Sequence, residues 1–191
     1  PALEASFRAQ IEILYDINRP DLKYRLADLE QQLAALQAMP KTLNAVTDLL
    51  AQGKLVKAEK LCKSFLQKFP RNTEGMRLLA DIASRLGILE DAEFLLESAV
   101  EFSPNNSRVR IDYVKVLRKQ QKYQKALRQA SILIEQEPQN PQFQSVFAIE
   151  AMQSGDFDTA ITTFDSILEI LPEDPVTLTS RGHALKTQGK T

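Results

Sequence analysis

Apolar residues along most of the chain recur in steps of three and four, which is the spacing of a helix with one buried face. Residues 73–106 show this pattern most clearly, because two such runs flank a short turn around Gly87. The apolar positions of the two runs are Leu79, Ala80, Ala83, Ala92, Leu96 and Ala99. The pattern predicts a pair of helices whose apolar faces pack together.

The same helix pair recurs with a fixed 34-residue period. A proline stands near the end of each copy, and a small alanine stands twelve positions before that proline. These residues are Pro70, Pro104, Pro138 and Pro172, with Ala58, Ala92, Ala126 and Ala160. The alanines mark places where two helix backbones approach closely, and the prolines end each second helix. The period gives four full copies, which are residues 39–72, 73–106, 107–140 and 141–174, and a partial copy at 175–191.

One position between the two helices of each pair calls for a positive backbone φ angle. Gly53, Gly87 and Gly155 occupy this position in three copies, and Gln121 replaces glycine in the third. The partial copy lacks a second helix, so we expect the sequence to be part of a longer chain.

Residues 1–38 do not follow the repeat. Leu3, Phe7, Ile11 and Leu14 form one helical stripe. A second segment carries a narrow leucine seam, which consists of Leu22, Leu26, Leu29, Leu33 and Leu36. We expect these two helices to cap the first repeat, and a dimer seam is the alternative.

The 34-residue period, the turn glycine, the small alanine and the terminal proline resemble the tetratricopeptide (TPR) repeat family over residues 39–191. The resemblance implies an all-α fold, a right-handed superhelical solenoid of helix-turn-helix repeats. In this fold the first helix of each pair lines a concave groove. The stretches SRGHALKTQGKT and AQGKLVKAEKLCKSFLQKFP also resemble bacterial proteins in which such repeats precede a sulfotransferase domain.

Composition narrows the classes of function. The net charge of −1 and pI near 6.0 give no overall field that would recruit nucleic acid or an anionic membrane. The single cysteine, Cys62, excludes an internal disulfide. The N-terminal residues lack the apolar run of a secretory signal, and no apolar stretch approaches the roughly 20 residues that span a bilayer. We therefore expect a cytoplasmic protein.

The residues that could carry chemistry do not form a site. His183 is the only histidine, and no metal ligand stands at a suitable spacing from it. Gly189-Lys190-Thr191 lacks the earlier glycine of a phosphate-binding loop, because Ala184 stands there. We expect no catalytic residue, no metal and no cofactor within this sequence.

Charge alternates from copy to copy. Residues 39–72 carry 7 basic and 2 acidic residues, and residues 73–106 carry 2 and 7. Residues 107–140 carry 8 and 3, and residues 141–174 carry 0 and 7. This alternation favours the correct stacking order, because each copy attracts its neighbours. It also leaves a basic stretch in the middle of the expected groove.

The resemblance places a mixed set of side chains in that groove. Leu43, Thr47 and Leu50 would make its first part apolar. The later groove residues are Arg77, Asp81, Arg85, Arg108, Lys115, Arg118, Lys119, Ile149, Met152 and His183. Guanidinium groups suit carboxylates, so the expected ligand is an acidic peptide whose apolar side chains lie at Leu43 and Met152. No aromatic residue stands between the basic ones to stack on bases, so nucleic acid is not expected.

Together these features predict a protein-interaction scaffold that binds a partner peptide or helix and is not itself an enzyme. One alternative is the repeat segment of a larger enzyme, such as a sulfotransferase. Another is a self-associating module, a homodimer formed through the leucine seam or the exposed last helix.

Overall fold

The computed structural model describes residues 2–17, 23–38 and 40–189. Within these residues it contains eleven α-helices and no strand. The helices are α1 (Ala2–Ile17), α2 (Lys23–Ala38), α3 (Lys41–Ala51), α4 (Leu55–Lys68), α5 (Thr73–Arg85), α6 (Leu89–Phe102), α7 (Ser107–Lys119), α8 (Tyr123–Gln136), α9 (Pro141–Gln153), α10 (Phe157–Ile170) and α11 (Pro175–Gln188). The all-α expectation and the predicted helix pairs are confirmed.

The chain divides into two compact units. Unit 1 is Pro1–Pro104 and contains α1 to α6, whereas unit 2 is Asn105–Thr191 and contains α7 to α11. In unit 1, α3 packs on α4 and α5 packs on α6. In unit 2, α7 pairs with α8, α9 pairs with α10, and α11 packs on α10.

Each unit has its own apolar core. The core of unit 1 gathers buried side chains from α3, α4 and α5, with Phe7 of α1 packed against them. Its buried members are Leu43, Val46, Leu50, Ala58, Cys62, Phe65, Leu78 and Ile82. In unit 2 the largest core cluster joins α9, α10 and α11, and its members are Ala148, Ala151, Ala160, Phe164, Ile167 and Ala184. Of the residues expected to face the core between α5 and α6, only Leu79 is half-buried, and Leu78 and Ile82 of α5 join the core although the spacing did not place them there.

The four alanines of the repeat are all 0% exposed, which confirms that they are buried. A second repeated signal is a polar residue immediately before each first helix. Asn72, Asn106, Asn140 and Asp174 stand one repeat period apart, and each side chain accepts a hydrogen bond from a backbone N–H of the first turn. Such caps stabilise a helix start by about 1 kcal/mol each.

The inter-helix turn has the geometry that the sequence calls for. Gly87 has a φ of 81° and Gly155 a φ of 87°. Gln121 adopts the same left-handed conformation with a φ of 59°, and it is the one non-glycine residue with positive φ among those described. The fold therefore imposes the turn geometry on a residue that does not favour it.

Cys62 lies where α4 meets α5. Its Sγ is 3.3 Å from the carbonyl oxygen of Gly75, and the side chain is fully buried. Burial, with a smaller contribution from Glu74, raises the pKa of the Cys62 thiol to about 11. The cysteine therefore acts as a small apolar filler, as its core-facing place predicts.

The two N-terminal helices pack on each other. Leu29 of α2 is buried, and the Tyr15 hydroxyl donates to Glu30 at 2.6 Å. Leu22 and the side chains of Leu3 and Leu36, which belong to the predicted stripes, lie outside the described part. None of the described helices is both long and apolar enough to cross a membrane.

Candidate functional site

Helix α3 is the first helix of the repeat. It buries Leu43 and Leu50, which were expected to line the groove. Leu43 is 0% exposed and Leu50 is 6% exposed, and both belong to the core of unit 1. The expectation that they contact a ligand is therefore wrong. Thr47 is half-buried, and its hydroxyl donates to the Asn44 carbonyl at 2.8 Å.

The charged residues of α5 pair with each other. Arg77 is 8% exposed, and its Nη2 lies 2.6 Å from Oε1 of Glu74 one turn earlier. Arg85 Nη2 lies 2.9 Å from Oδ2 of Asp81, and this pair is exposed to solvent. The structure thus places Arg77 inward, whereas Asp81 and Arg85 lie at the surface.

Four of the five basic residues of α7, which are Arg108, Lys115, Arg118 and Lys119, share one face of the helix by their spacing, whereas Arg110 is buried and donates to Gln129 of α8. Lys115 is exposed, and its ammonium group is 3.1 Å from Oδ1 of Asp112. Lys119 is exposed at the end of the helix, and Arg108 is half-buried near its start. Lysine ion pairs of this exposed kind stabilise a protein by only about 0 to 1 kcal/mol, so Asp112 holds Lys115 weakly.

The surface of α7 that carries Lys115 continues onto α9 and α11, which are the first helices of the next two copies. Lys115, Ile149 and His183 are related by the 34-residue period, so they occupy one place in α7, α9 and α11. Ile149 is half-buried, His183 is exposed, and Met152 lies half-buried one turn after Ile149. Ile149 and Met152 pack against the core cluster of unit 2, which leaves part of each surface open to solvent.

Arg118 links α7 to α9 through a buried carboxylate. Its Nε donates to Oε1 of Glu150 at 2.6 Å, and Nη2 contacts the same oxygen. The side chain of Glu150 is 0% exposed, whereas that of Arg118 is 32% exposed. Burial raises the pKa of Glu150, and the hydrogen bond and charge of Arg118 oppose that rise.

The position of Glu150 is a buried apolar position in three other copies. By the 34-residue period its equivalents there are Ile82, Val116 and Ala184, while the first copy carries half-buried Asp48. The groove prediction included Arg118 but omitted Glu150. A carboxylate that interrupts a buried apolar series is the signal that could have revealed it.

The carboxylate is incompletely satisfied. Glu150 Oε2 is buried without a hydrogen-bond partner, and so is the hydroxyl of Ser154 at the end of the same helix. An unpartnered buried carboxylate oxygen lowers stability, so the pair with Arg118 holds the guanidinium at some cost in free energy.

Charge complementarity between successive copies is visible inside unit 2. Arg118 and Glu150 belong to adjacent copies, and Arg181 Nε contacts Asp165 across the next boundary. Gln188 also donates to Oδ1 of Asp158 at 2.7 Å. The alternating signs in the sequence therefore correspond, in this unit, to contacts that join neighbouring copies.

The described residues contain no group of three or more histidine, cysteine, aspartate or glutamate side chains placed to hold a metal ion. What unit 2 does offer is a row of cations beside partly exposed apolar side chains. Such a surface can bind carboxylates and small apolar groups at the same time.

The fold is similar to that of several solved TPR structures. The structure of MamA from residue 41 to its end, from Desulfovibrio magneticus RS-1, superposes with a TM-score of 0.70 at 15% identity, covering 78% of this chain and 84% of that one. YrrB, described as a TPR protein with an unusual peptide-binding site, superposes with a TM-score of 0.66 at 15% identity, covering 78% and 77%. Among curated proteins no sequence relative matches the chain.

Residues 23–177 match the family described as the cytochrome c-type biogenesis protein H TPR domain. The match begins within the two N-terminal helices and includes all four full copies of the repeat. It confirms the TPR resemblance, while the weaker sulfotransferase likeness stays a prediction. Because the match spans most of the chain, the protein belongs to the cytochrome c-type biogenesis protein H TPR domain family.

Proposed function

We propose that the protein is a non-catalytic scaffold that holds an acidic polypeptide segment against the first helices of unit 2. The observation that carries this proposal is the placement of Lys115, Arg118 and Lys119 on α7 beside half-buried Ile149 and Met152 on α9. The cations would receive carboxylates of the segment, and its apolar side chains would cover Ile149 and Met152.

Arg118 is the anchor of the proposed site. Glu150 fixes its guanidinium through Nε and Nη2, while about a third of the side chain, 32%, remains exposed. A guanidinium already held in one geometry loses little conformational entropy when a ligand carboxylate binds. Lys115 and Lys119 are flexible by comparison and would contribute mainly attraction at longer range.

Several residues predicted from the sequence keep secondary roles in this proposal. His183 would extend the site onto α11, and Arg108 would extend it toward the start of α7. In unit 1, the exposed Asp81 and Arg85 would offer a separate polar contact, whereas buried Arg77 would serve packing.

The family description supplies a biological setting for the scaffold. We propose that the bound segment belongs to a protein handled during cytochrome c-type biogenesis. The cytoplasmic location expected from the sequence stays a prediction, and the family description favours the periplasm as its alternative. Fractionation of the source cell with an antibody to the protein distinguishes the two compartments.

The test uses fluorescence anisotropy with two labelled synthetic peptides, one that mixes glutamate with leucine and one in which lysine replaces each glutamate. We expect the acidic peptide to bind and the basic peptide not to bind. The double variant Lys115→Glu with Lys119→Glu should weaken binding about tenfold or more, which corresponds to about 1.4 kcal/mol. Both residues are exposed, so the helical content should not change.

The matched control is Lys122→Glu with Arg128→Glu, which reverses two charges at the start of α8 and on α8 in the same unit. It should leave binding unchanged apart from a small long-range effect that salt screens. Equal loss in the control and the double variant would mean that net charge, and not this surface, controls binding. Equal affinity for the acidic and basic peptides would reject the acidic ligand.

A further inference from the structure

The second helices of unit 1, α4 and α6, carry a stripe of exposed residues at equivalent places. On each helix the stripe follows one face, in steps of four, three and four residues. Its members are Val56, Lys60, Lys63 and Gln67 on α4, and Glu90, Phe94, Glu97 and Glu101 on α6. The two sets are offset by one repeat period, so they mark the same outer face in successive copies.

Each stripe exposes one apolar side chain. Val56 is 73% exposed and Phe94 is 70% exposed, the two highest values among the exposed large apolar side chains described. Phe94 stands in the middle of its stripe, with Glu90 and Glu97 one turn to either side. Aromatic residues, phenylalanine among them, are enriched in protein interfaces, so Phe94 is a candidate anchor for a protein contact.

The two stripes have opposite charge. Helix α4 carries Lys57, Lys60, Lys63 and Lys68 against a single acidic residue, Glu59. Helix α6 carries no basic residue, and its acidic residues are Glu90, Asp91, Glu93, Glu97 and Glu101. Each helix face is therefore complementary to the other and repels a copy of itself.

The two helices lie close to each other within the unit. Lys63 has a raised pKa, for which the hydrogen bond and charge of Glu59 are the larger causes, and Asp91 at the start of α6 adds to the rise. At the other end, the guanidinium of Arg71 lies 5.6 Å from the centre of the Phe102 ring. The basic stripe of α4 and the acidic stripe of α6 therefore lie on neighbouring copies of the repeat, with Asp91 near Lys63 and Phe102 near Arg71.

Helix α4 also borders a shallow groove of about 510 Å³. Its lining residues are Val56, Glu59, Lys60, Lys63, Ser64 and Gln67. All six residues lie on α4, where the methyl groups of Val56 and the aliphatic stems of the lysines place apolar surface beside the charged groups. That composition suits an aromatic ring flanked by carboxylates, which is the arrangement around Phe94.

We propose that two copies of this protein associate through this face, with α6 of each copy seated along α4 of the other. Phe94 of each copy enters the groove beside Val56 of its partner. The lysines of α4 then face the carboxylates of α6 at both contacts.

A two-fold axis follows from the side-by-side placement of the two stripes. The axis lies in the plane of the contact and runs between the two stripes, parallel to them. Rotation by 180° about it places the basic stripe of each copy against the acidic stripe of the other. Both complementary contacts form at once, so the assembly closes as a dimer and does not grow into a filament. The overall charge of −1 adds almost no repulsion between the copies.

A second copy fits this face better than an unrelated partner does. An unrelated protein would need a basic groove beside an acidic stripe with an exposed aromatic ring. This chain carries both, on α4 and α6. The surface is also distinct from the leucine seam of α2 and from α11, which are the two homodimer surfaces expected from the sequence.

The test is sedimentation velocity over a series of protein concentrations, with two charge-reversed variants. Lys60→Glu with Lys63→Glu makes both stripes acidic, and Glu90→Lys with Glu97→Lys and Glu101→Lys makes both basic. Each variant alone should be monomeric where the wild type is dimeric, because both contacts become repulsive. An equal mixture of the two variants should form a heterodimer, because both contacts become attractive again.

Phe94→Ser provides a second, independent change, and it should raise the dimer dissociation constant about tenfold or more. Arg128→Glu on α8 is the control and should leave the dimer unchanged. Recovery of the dimer in the mixture also shows that both charge variants are folded. A wild type that stays monomeric at the highest soluble concentration, a dimer that survives Phe94→Ser and both reversals, or a mixture that stays monomeric would each overturn the proposal.

Discussion

Arg118 of α7 holds the fully buried carboxylate of Glu150 on α9, with Nε donating to Oε1 at 2.6 Å. The pair joins two successive copies of the repeat at a place where Ile82, Val116 and Ala184 stand in three other copies. Buried ion pairs of this kind contribute less to stability than apolar residues of similar volume, but breaking one partner alone is costly. The two residues therefore differ in what their replacement should do.

Removing the cation should destabilise the protein strongly. Arg118→Met leaves Glu150 buried and unpaired, and we expect a loss of about 3 kcal/mol in the free energy of unfolding near pH 7. Arg118 is partly exposed, so the loss should fall at the low end of the range for buried pairs. Urea denaturation followed by circular dichroism measures it, and an unchanged midpoint would contradict the pairing.

The loss in Arg118→Met should also depend on pH. The folded protein raises the pKa of Glu150 above its unfolded value, so the folded state binds this proton more tightly. Removing the opposing guanidinium raises that pKa further. The ionised carboxylate then costs the most stability above the folded pKa, and the cost disappears as pH falls toward the unfolded pKa. The difference from the wild type should therefore shrink between neutral pH and about pH 4.

Removing the anion should have a small effect on stability. Glu150→Val restores the apolar residue type of the equivalent buried positions, and the partly exposed Arg118 is free to turn toward water. We expect a change between neutral and about 2 kcal/mol of stabilisation. The same variant should weaken binding of the acidic peptide, because Arg118 is no longer held in position. A strongly destabilised Glu150→Val protein would show that the buried pair itself supports the fold.

The left-handed conformation of Gln121 lowers the stability of unit 2, and glycine at this position should restore it. Gln121→Gly should stabilise unit 2 by about 1 kcal/mol, because glycine adopts a φ of 59° without the steric cost of a side chain. The reciprocal change Gly155→Gln, at the equivalent turn, should destabilise by a similar amount. Thermal denaturation of both variants checks the pair, and equal melting temperatures would mean that the turn carries no strain.

The packing of α5 against α6 leaves no room at Ala92. Ala92→Leu should cost about 1 to 3 kcal/mol by overpacking, since this residue is 0% exposed. The exposed Ala51 at the end of α3 is the matched control, and Ala51→Leu should have little effect. An unchanged melting curve for Ala92→Leu would contradict the helix register.

Residues 1–38 are proposed to cap the first repeat, since Phe7 of α1 packs against the core of unit 1. Deleting these residues should uncover apolar surface around that core and promote aggregation. Light scattering of the truncated protein measures this directly. A soluble truncation with the melting temperature of the full chain would count against a cap and favour another role for the leucine seam.

The sequence was most informative where a local physical constraint repeats. Proline at the end of a helix, positive φ at the turn and alanine at a close contact each depend on a few neighbouring residues, so a 34-residue period was enough to locate them. The helix pairs, the conformation of Gln121 and the burial of Ala92 followed from these constraints.

Side-chain partners could not be found in the same way. The position shared by Leu43 and Arg77 was expected to face a groove, yet these residues are 0% and 8% exposed. Helical spacing fixes which face a residue occupies, but not how closely the next helix covers it. For the same reason the sequence predicted that Arg118 binds a ligand. It did not predict the hydrogen bond between Arg118 and Glu150, which lies 32 residues away.

The buried thiol of Cys62 allows a fluorescent dye to be attached at a second, introduced cysteine. With its pKa near 11 and its side chain fully buried, Cys62 should not react with a maleimide dye while the protein is folded. A single cysteine introduced at the exposed Ala51, outside the proposed dimer face, would then take up the dye alone, with the native cysteine left in place. Energy transfer between donor- and acceptor-labelled copies would report directly on whether two chains associate.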